Sequence, residues 1–189
     1  MGNLSVSEIN ADISMITGSF SSDHRVIPSP SKVFRVSLLF PMLAVLLSFA
    51  SISMVYISFY SDINSIYGYW DYFLSEGWAV TVPTAIIGLV FAFMTYNNII
   101  MYMAIPEDVR EKSLIFSHLR KVVKRTFVSF VGLMILSVIL SGFISWFAFG
   151  IPALEFALFL VLNMIVGMEI NRLGAGLALE KISSLIKKI

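Results

Sequence analysis

The sequence predicts an all-α, polytopic membrane protein: a bundle of four transmembrane helices, an amphipathic helix at each terminus, and both termini in the cytoplasm. Three observations predict it. The chain has 189 residues, of which 58% are hydrophobic and 13% charged, and a soluble domain carries about twice that charge. Its mean hydropathy of +0.87 is too high for a chain this short to cover its own surface with polar groups. Residues 36–61, 77–106 and 126–154 contain no charged side chain, and each run exceeds the roughly 18 residues that mark a candidate span.

The N-terminal segment, residues 1–35, is mostly polar and lacks the basic start, apolar stretch and small-residue cleavage site of a signal peptide. The first span is therefore expected to act as its own uncleaved insertion signal. Ser5 and Glu8 stand at capping-box spacing. Ile9, Ile13, Ile16 and Phe20 then mark one helical face before the connector GSFSSDHRVIPSPS. The expectation is a short amphipathic helix docked on the membrane or on its own bundle, with docking to a partner as the alternative.

The bundle is expected over 36–173, with spans at about 36–60, 78–105, 127–149 and 153–173. The fourth is the least obvious, because only 156–168 is free of charge between Glu155 and Glu169. The cations support it. Arg25, Lys32 and Arg35 precede span one; six Lys and Arg lie between spans two and three; Arg172, Lys181, Lys187 and Lys188 follow span four. Four crossings put all 13 Lys and Arg on one side, which the positive-inside rule makes the cytoplasm. Pro41 stands inside span one, where a kink is expected. Pairs of small residues at helix-packing spacing are Ala44/Ser48, Gly88/Ala92, Ser137/Ser141 and Asn163/Gly167.

On the other side, residues 61–77 hold Asp62, Asp71 and Glu76 and no base. Ile63, Ile66, Tyr67, Trp70, Phe73, Leu74 and Trp78 fall on one helical face. An amphipathic helix lying on the bilayer is the first reading, with Trp and Tyr at headgroup depth. A recognition surface is the second, with Tyr67, Tyr69, Trp70, Asp71, Tyr72 and Glu76 as its candidate residues, since such aromatics dominate binding hot spots. A short turn near residues 150–152 is the other expected external element.

On the cytoplasmic side, Pro106 and the acids after it suit a helix N-terminus. Arg120, Lys121, Lys124 and Arg125 are candidates for contact with anionic lipid, and nucleic acid is not an expected partner. The tail 174–189 places Ala178, Ile182, Leu185, Ile186 and Ile189 on one face and Lys181 and Lys188 away from it, a basic amphipathic helix.

Polar residues inside spans are candidates for function. Asn163 is expected near the middle of the fourth helix in an interhelical hydrogen bond, and Glu155 at a wet interfacial position near Pro152. Glu169 and Arg172, three residues apart, can pair. Transport of a proton or ion through these groups is the functional alternative.

No catalytic constellation is expected. His24 and His118 are the two histidines, neither in an H-E-x-x-H motif, and there is no G-x-S-x-G, P-loop or G-x-G-x-x-G. The absence of Cys excludes disulfides, thiol catalysis and cysteine-bound zinc. No cofactor or metal is expected, and the chain reads as a non-enzyme.

Size, topology, lack of Cys and lack of catalytic motifs give the whole chain a resemblance to two groups of bacterial proteins. It resembles the TraS-type entry-exclusion proteins of conjugative plasmids, which are small inner-membrane proteins. It is also similar to the inner-membrane immunity proteins against pore-forming colicins. The first resemblance implies a protein that blocks redundant conjugative DNA transfer by recognising part of the donor's mating machinery. The second implies binding a toxin's pore-forming domain within the bilayer. Either implies a bacterial inner membrane, a membrane or envelope protein as partner, and no catalysis. Self-association, a small transporter and a secretion-complex accessory subunit stay open beside them.

Overall fold

Every regular element among the described residues is helical. In the computed structural model these residues are 5–21, 28–60 and 65–172. The expected C-terminal helix over 174–189 and Ile63 lie outside them. In chain order the helices are α1 (Val6–Ser21), α2 (Pro30–Phe59), α3 (Ile66–Tyr72), α4 (Trp78–Ala104), α5 (Glu107–Lys112), α6 (Leu114–Ser141) and α7 (Gly150–Arg172). A π turn, Phe73–Gly77, joins α3 to α4, and a 3₁₀ turn, Ser145–Phe149, leads into α7.

Local chemistry sets the helix starts. Pro30 opens α2 at a position where its missing N–H costs nothing. The Ser65 hydroxyl accepts from the Gly68 N–H at 3.0 Å to cap α3, and the Ser113 hydroxyl accepts from the Phe116 N–H at 3.2 Å to cap α6. The capping box at Ser5 and Glu8 forms as expected: the Ser5 N–H donates to Glu8 Oε2 at 2.8 Å, and the Glu8 N–H to the Ser5 hydroxyl at 3.3 Å.

Four helices are long and apolar enough to cross a membrane: Pro30–Phe59, Ile66–Ala104 counted through the π turn, Leu114–Ser141, and Ser145–Arg172 counted through the 3₁₀ turn. Their packing inverts a soluble protein. Large apolar side chains point outward, Leu39 being 62% and Phe93 70% exposed, and an apolar surface this continuous is stable only against lipid or a partner. Inside, small and hydroxylated residues share the helix contacts with larger apolar ones such as Ile52, Met134 and Leu158. Ala44, Ser48, Ser51, Thr84 and Ser141 are fully buried, and such residues let helix backbones approach closely. Three of the expected small pairs, Ala44/Ser48, Gly88/Ala92 and Ser137/Ser141, are buried between helices. The fourth is not: Asn163 is exposed, and open space surrounds Gly167.

Three expected boundaries are corrected. The third helix runs from Leu114 to Ser141, not over 127–149. It ends roughly two turns early because the chain folds back: the Ser137 hydroxyl donates to the Phe147 carbonyl at 2.7 Å, and the Ser141 hydroxyl to the Ser51 carbonyl at 3.2 Å. The fourth helix begins at Gly150, ahead of the expected 153. The aromatic helix over 66–72 is not a separate element beside the second span. It runs into α4 through the π turn, where buried Gly77 lies so close to α2 that a Cβ would sit 3.0 Å from Ile52 Cγ2.

Candidate functional site

At one end of the bundle, α3 and the 3₁₀ turn form an aromatic cap. Tyr56 of α2 is its buried centre, with the rings of Tyr69 at 5.4 Å, Tyr72 at 5.7 Å and Tyr60 at 6.3 Å. The Tyr56 hydroxyl donates to the Ser65 carbonyl at 3.3 Å, and the hydroxyls of Ser53 and Tyr69 are 3.2 Å apart. Of the candidate recognition residues, Tyr69 and Tyr72 therefore turn inward and fix the cap. Tyr67 and Trp70 face out, 84% and 53% exposed, and Asp71 and Glu76 are exposed beside them. The Tyr60 hydroxyl donates to Glu76 Oε2 at 3.4 Å. Partial burial first, and the Glu76 carboxylate second, raise the Tyr60 phenol above its ordinary pKa.

The fold adds a second strip to this end. Phe143 and Trp146 are 73% and 78% exposed, and Trp146 lies 5.7 Å from Phe149, centroid to centroid. A cavity of about 350 Å³ joins the two strips, lined among others by Tyr72, Glu76, Gly77, Ser145, Trp146 and Phe149. The turn expected near residues 150–152 falls instead at 142–149, and Ile151 and Pro152 are buried in α7; the segment is hidden in the sequence because it lies in one uncharged run with α6. The Gly142 that follows Ser141 was the available signal.

The intramembrane polar residues fall elsewhere than expected. Asn163 makes no interhelical bond: its Nδ2 donates to the Phe159 carbonyl of its own helix at 2.8 Å. Glu155 is not at a wet interface. It is fully buried, and neither carboxyl oxygen has a hydrogen-bond partner. Oε1 lies over Gly88, where a Cβ would stand 3.0 Å away, and the same Cβ would be 2.9 Å from Pro41 Cβ. Gly88 and Pro41 lie in the middle thirds of α4 and α2, so Glu155 faces the centre of the bundle. The helix α2 continues through Pro41.

At the opposite end, Glu169 and Arg172 pair at 2.8 Å as their spacing implies, and His118 of α6 joins them, its Nε2 3.2 Å from Glu169 Oε2. Arg120, Lys121, Lys124 and Arg125 are exposed along α6 itself. Arg120 Nη2 donates to the Tyr102 hydroxyl at 2.7 Å. Here α1 docks on its own chain. Ile16 packs with Ile105, Val109, Ile115 and Phe116, with Ile9 and Ile13 at the margin. Asp12, inside the apolar stripe of α1, is 5% exposed and accepts from the Ile115 N–H at 2.9 Å. An acid in an apolar stripe was the signal for that contact.

These features define an all-helical protein with four helices able to cross a membrane. Compared with protein-family models, curated proteins and solved structures, the chain matches none.

Proposed function

We propose that this chain is a non-catalytic, multi-pass inner-membrane protein that recognises another membrane or envelope protein, and that this recognition serves entry exclusion, the blocking of redundant conjugative DNA transfer. One observation carries the recognition reading: the aromatic cap exposes Tyr67 and Trp70 on one strip and Trp146 on the other, and Trp146 and Glu76 line the cavity between the strips. Exposed aromatics of this size supply contact area at low entropic cost and form binding hot spots. The acids beside them, with no Lys or Arg between Arg35 and Arg110, suit a partner segment bearing Lys or Arg.

The orientation that goes with this reading places both termini and every Lys and Arg in the cytoplasm, supported by the one-sided cations. Arg120, Lys121, Lys124 and Arg125 then meet anionic headgroups. The aromatic cap faces away from the cytoplasm, towards an incoming partner. The process itself is supported by the chain's size, four spans and lack of cysteine.

The test is a mating assay. Recipients that express the chain receive a conjugative plasmid at lower frequency than recipients with an empty vector. Replacing Trp70 and Trp146 by Ala together restores transfer at unchanged membrane level; a loss of about 1.4 kcal/mol of binding weakens the contact roughly tenfold. No reduction with any donor system tried sinks the entry-exclusion reading. A second reading, transport of a small ion, is favoured by the buried Glu155 and predicts uptake that Glu155→Gln abolishes.

A further inference from the structure

A carboxyl group buried without a partner is an unusual thing to find at the centre of a helix bundle. Transfer of an ionised carboxylate out of water is too costly to persist without a countercharge or hydrogen bonds. Glu155 has neither: it is fully buried, and both oxygens lack a partner. Among the described residues the ion pairs are those of Glu169 with Arg172 and His118, at one end of α7.

The titratable groups of the packed elements lie at a distance along the helices. On α2, Arg35 is six residues before Pro41 and Tyr56 fifteen after it, roughly 9 and 22 Å at 1.5 Å per residue. On the run through α4, Glu76 is twelve residues before Gly88 and Tyr96 eight after it, roughly 18 and 12 Å. On α6, Arg125 is nine residues before Met134, which packs with Ile151 and Leu158 of α7, roughly 13 Å. On α7 itself, Glu169 is fourteen residues away, roughly 21 Å.

The facing helices leave room for the carboxyl. Gly88 leaves out the side chain that would occupy its place. Pro41 has no N–H, so the carbonyl of buried Ser37 lacks its usual helical donor.

We propose that Glu155 is a proton-binding site in the interior of the bundle. It holds one proton as a carboxylic acid while α2, α4 and α7 are packed, and releases it when water gains access between them. The equilibrium is proton addition to one carboxylate oxygen, and no other co-reactant is needed. The site goes beyond the recognition reading and does not depend on it.

Infrared spectroscopy of the full chain in a maltoside detergent, which has no carbonyl group of its own, tests this directly. At neutral pH the exposed carboxylates are ionised, so a carboxylic-acid carbonyl band equivalent to one group per chain is expected. It disappears in Glu155→Gln and declines as the pH is raised. Glu155→Gln keeps the thermal midpoint of the wild type, because a neutral isostere replaces a neutral acid, and flattens its pH dependence. Absence of a band that Glu155→Gln removes overturns the proposal. So does loss of the band on adding sodium at constant pH, which would make the site one for a metal cation. If Glu155→Gln fails to fold, Glu155→Asp supplies the same readout: the band persists with a shifted frequency, and an unshifted or absent band counts against the site.

Discussion

The Ser113 hydroxyl donates a 2.7 Å hydrogen bond to Asp12 Oδ2 across 101 residues of chain. Ser113 is the N-cap of α6, and Asp12 also accepts from the Ile115 N–H at 2.9 Å. The first turn of α6 has no acid of its own, so α1 supplies the negative charge that a helix N-terminus favours. The docking of α1 and the capping of α6 are one interaction.

Replacing Asp12 by Ala removes that charge and leaves the Ile115 N–H unpaired. Hydrogen bonds to charged groups contribute about 1.5–3 kcal/mol. The expected outcome is a loss of about 2 kcal/mol in thermal or denaturant unfolding, with hydrogen exchange speeding up in both α1 and the first turn of α6. Faster exchange in α1 alone would show that the cap is not shared.

The capping box at the start of α1 has a pH signature. Hydrogen bonds from the Ser5 backbone and hydroxyl hold Glu8 below its ordinary carboxylate pKa. A depressed folded pKa adds stability above the unfolded value and loses it as the pH falls through the folded one. The N-terminal turn is therefore expected to fray below about pH 4, the ordinary Glu range, and Glu8→Gln to remove that dependence. Amide chemical shifts of residues 5–8 against pH check it.

Gly88 has no room for a methyl group. A Cβ would stand 2.9 Å from Pro41 Cβ and 3.0 Å from Glu155 Oε1, closer than ordinary contact, and Pro41 belongs to a rigid backbone. Overpacking of this kind costs about 1–3 kcal/mol. Gly88→Ala is expected to lower the thermal midpoint in detergent, and Gly88→Val to lower it further. Gly132, which has open space around it, supplies the control: Gly132→Ala is expected to be neutral or mildly stabilising, since Ala is the better helix former.

How far the fold was legible depended on whether the signal was local. The first three spans followed from uninterrupted apolar runs, the fourth from the cations that follow it, and the Ser5–Glu8 box and the Glu169–Arg172 pair from spacing alone. The end of α6 did not, because 126–154 is one uncharged run and the stop comes from Ser137 and Ser141 reaching other parts of the chain. Glu155 was misplaced for the same reason. Starting α7 at Gly150 and tucking the 3₁₀ turn against Ile52 and Val80 draws the carboxyl inward, opposite Gly88. Within the aromatic cap, the alternation of exposed and inward rings depended on Tyr56, which belongs to a different helix.

The sidedness of the bundle has a clean test because the chain has no native cysteine. Asp71 and Lys121 are both exposed, at opposite ends. If the cations face the cytoplasm, as proposed, Asp71→Cys reacts with a membrane-impermeant maleimide added to intact cells stripped of any outer barrier. Lys121→Cys reacts only after the membrane is permeabilised. Both substitutions lie outside the buried core, so each variant should insert normally. Labelling of both from the same side would place the two ends of α4 in one compartment. That result is incompatible with Ile66–Ala104 as a span, and labelling of both only after permeabilisation would also remove the aromatic cap from reach of any partner outside the cell.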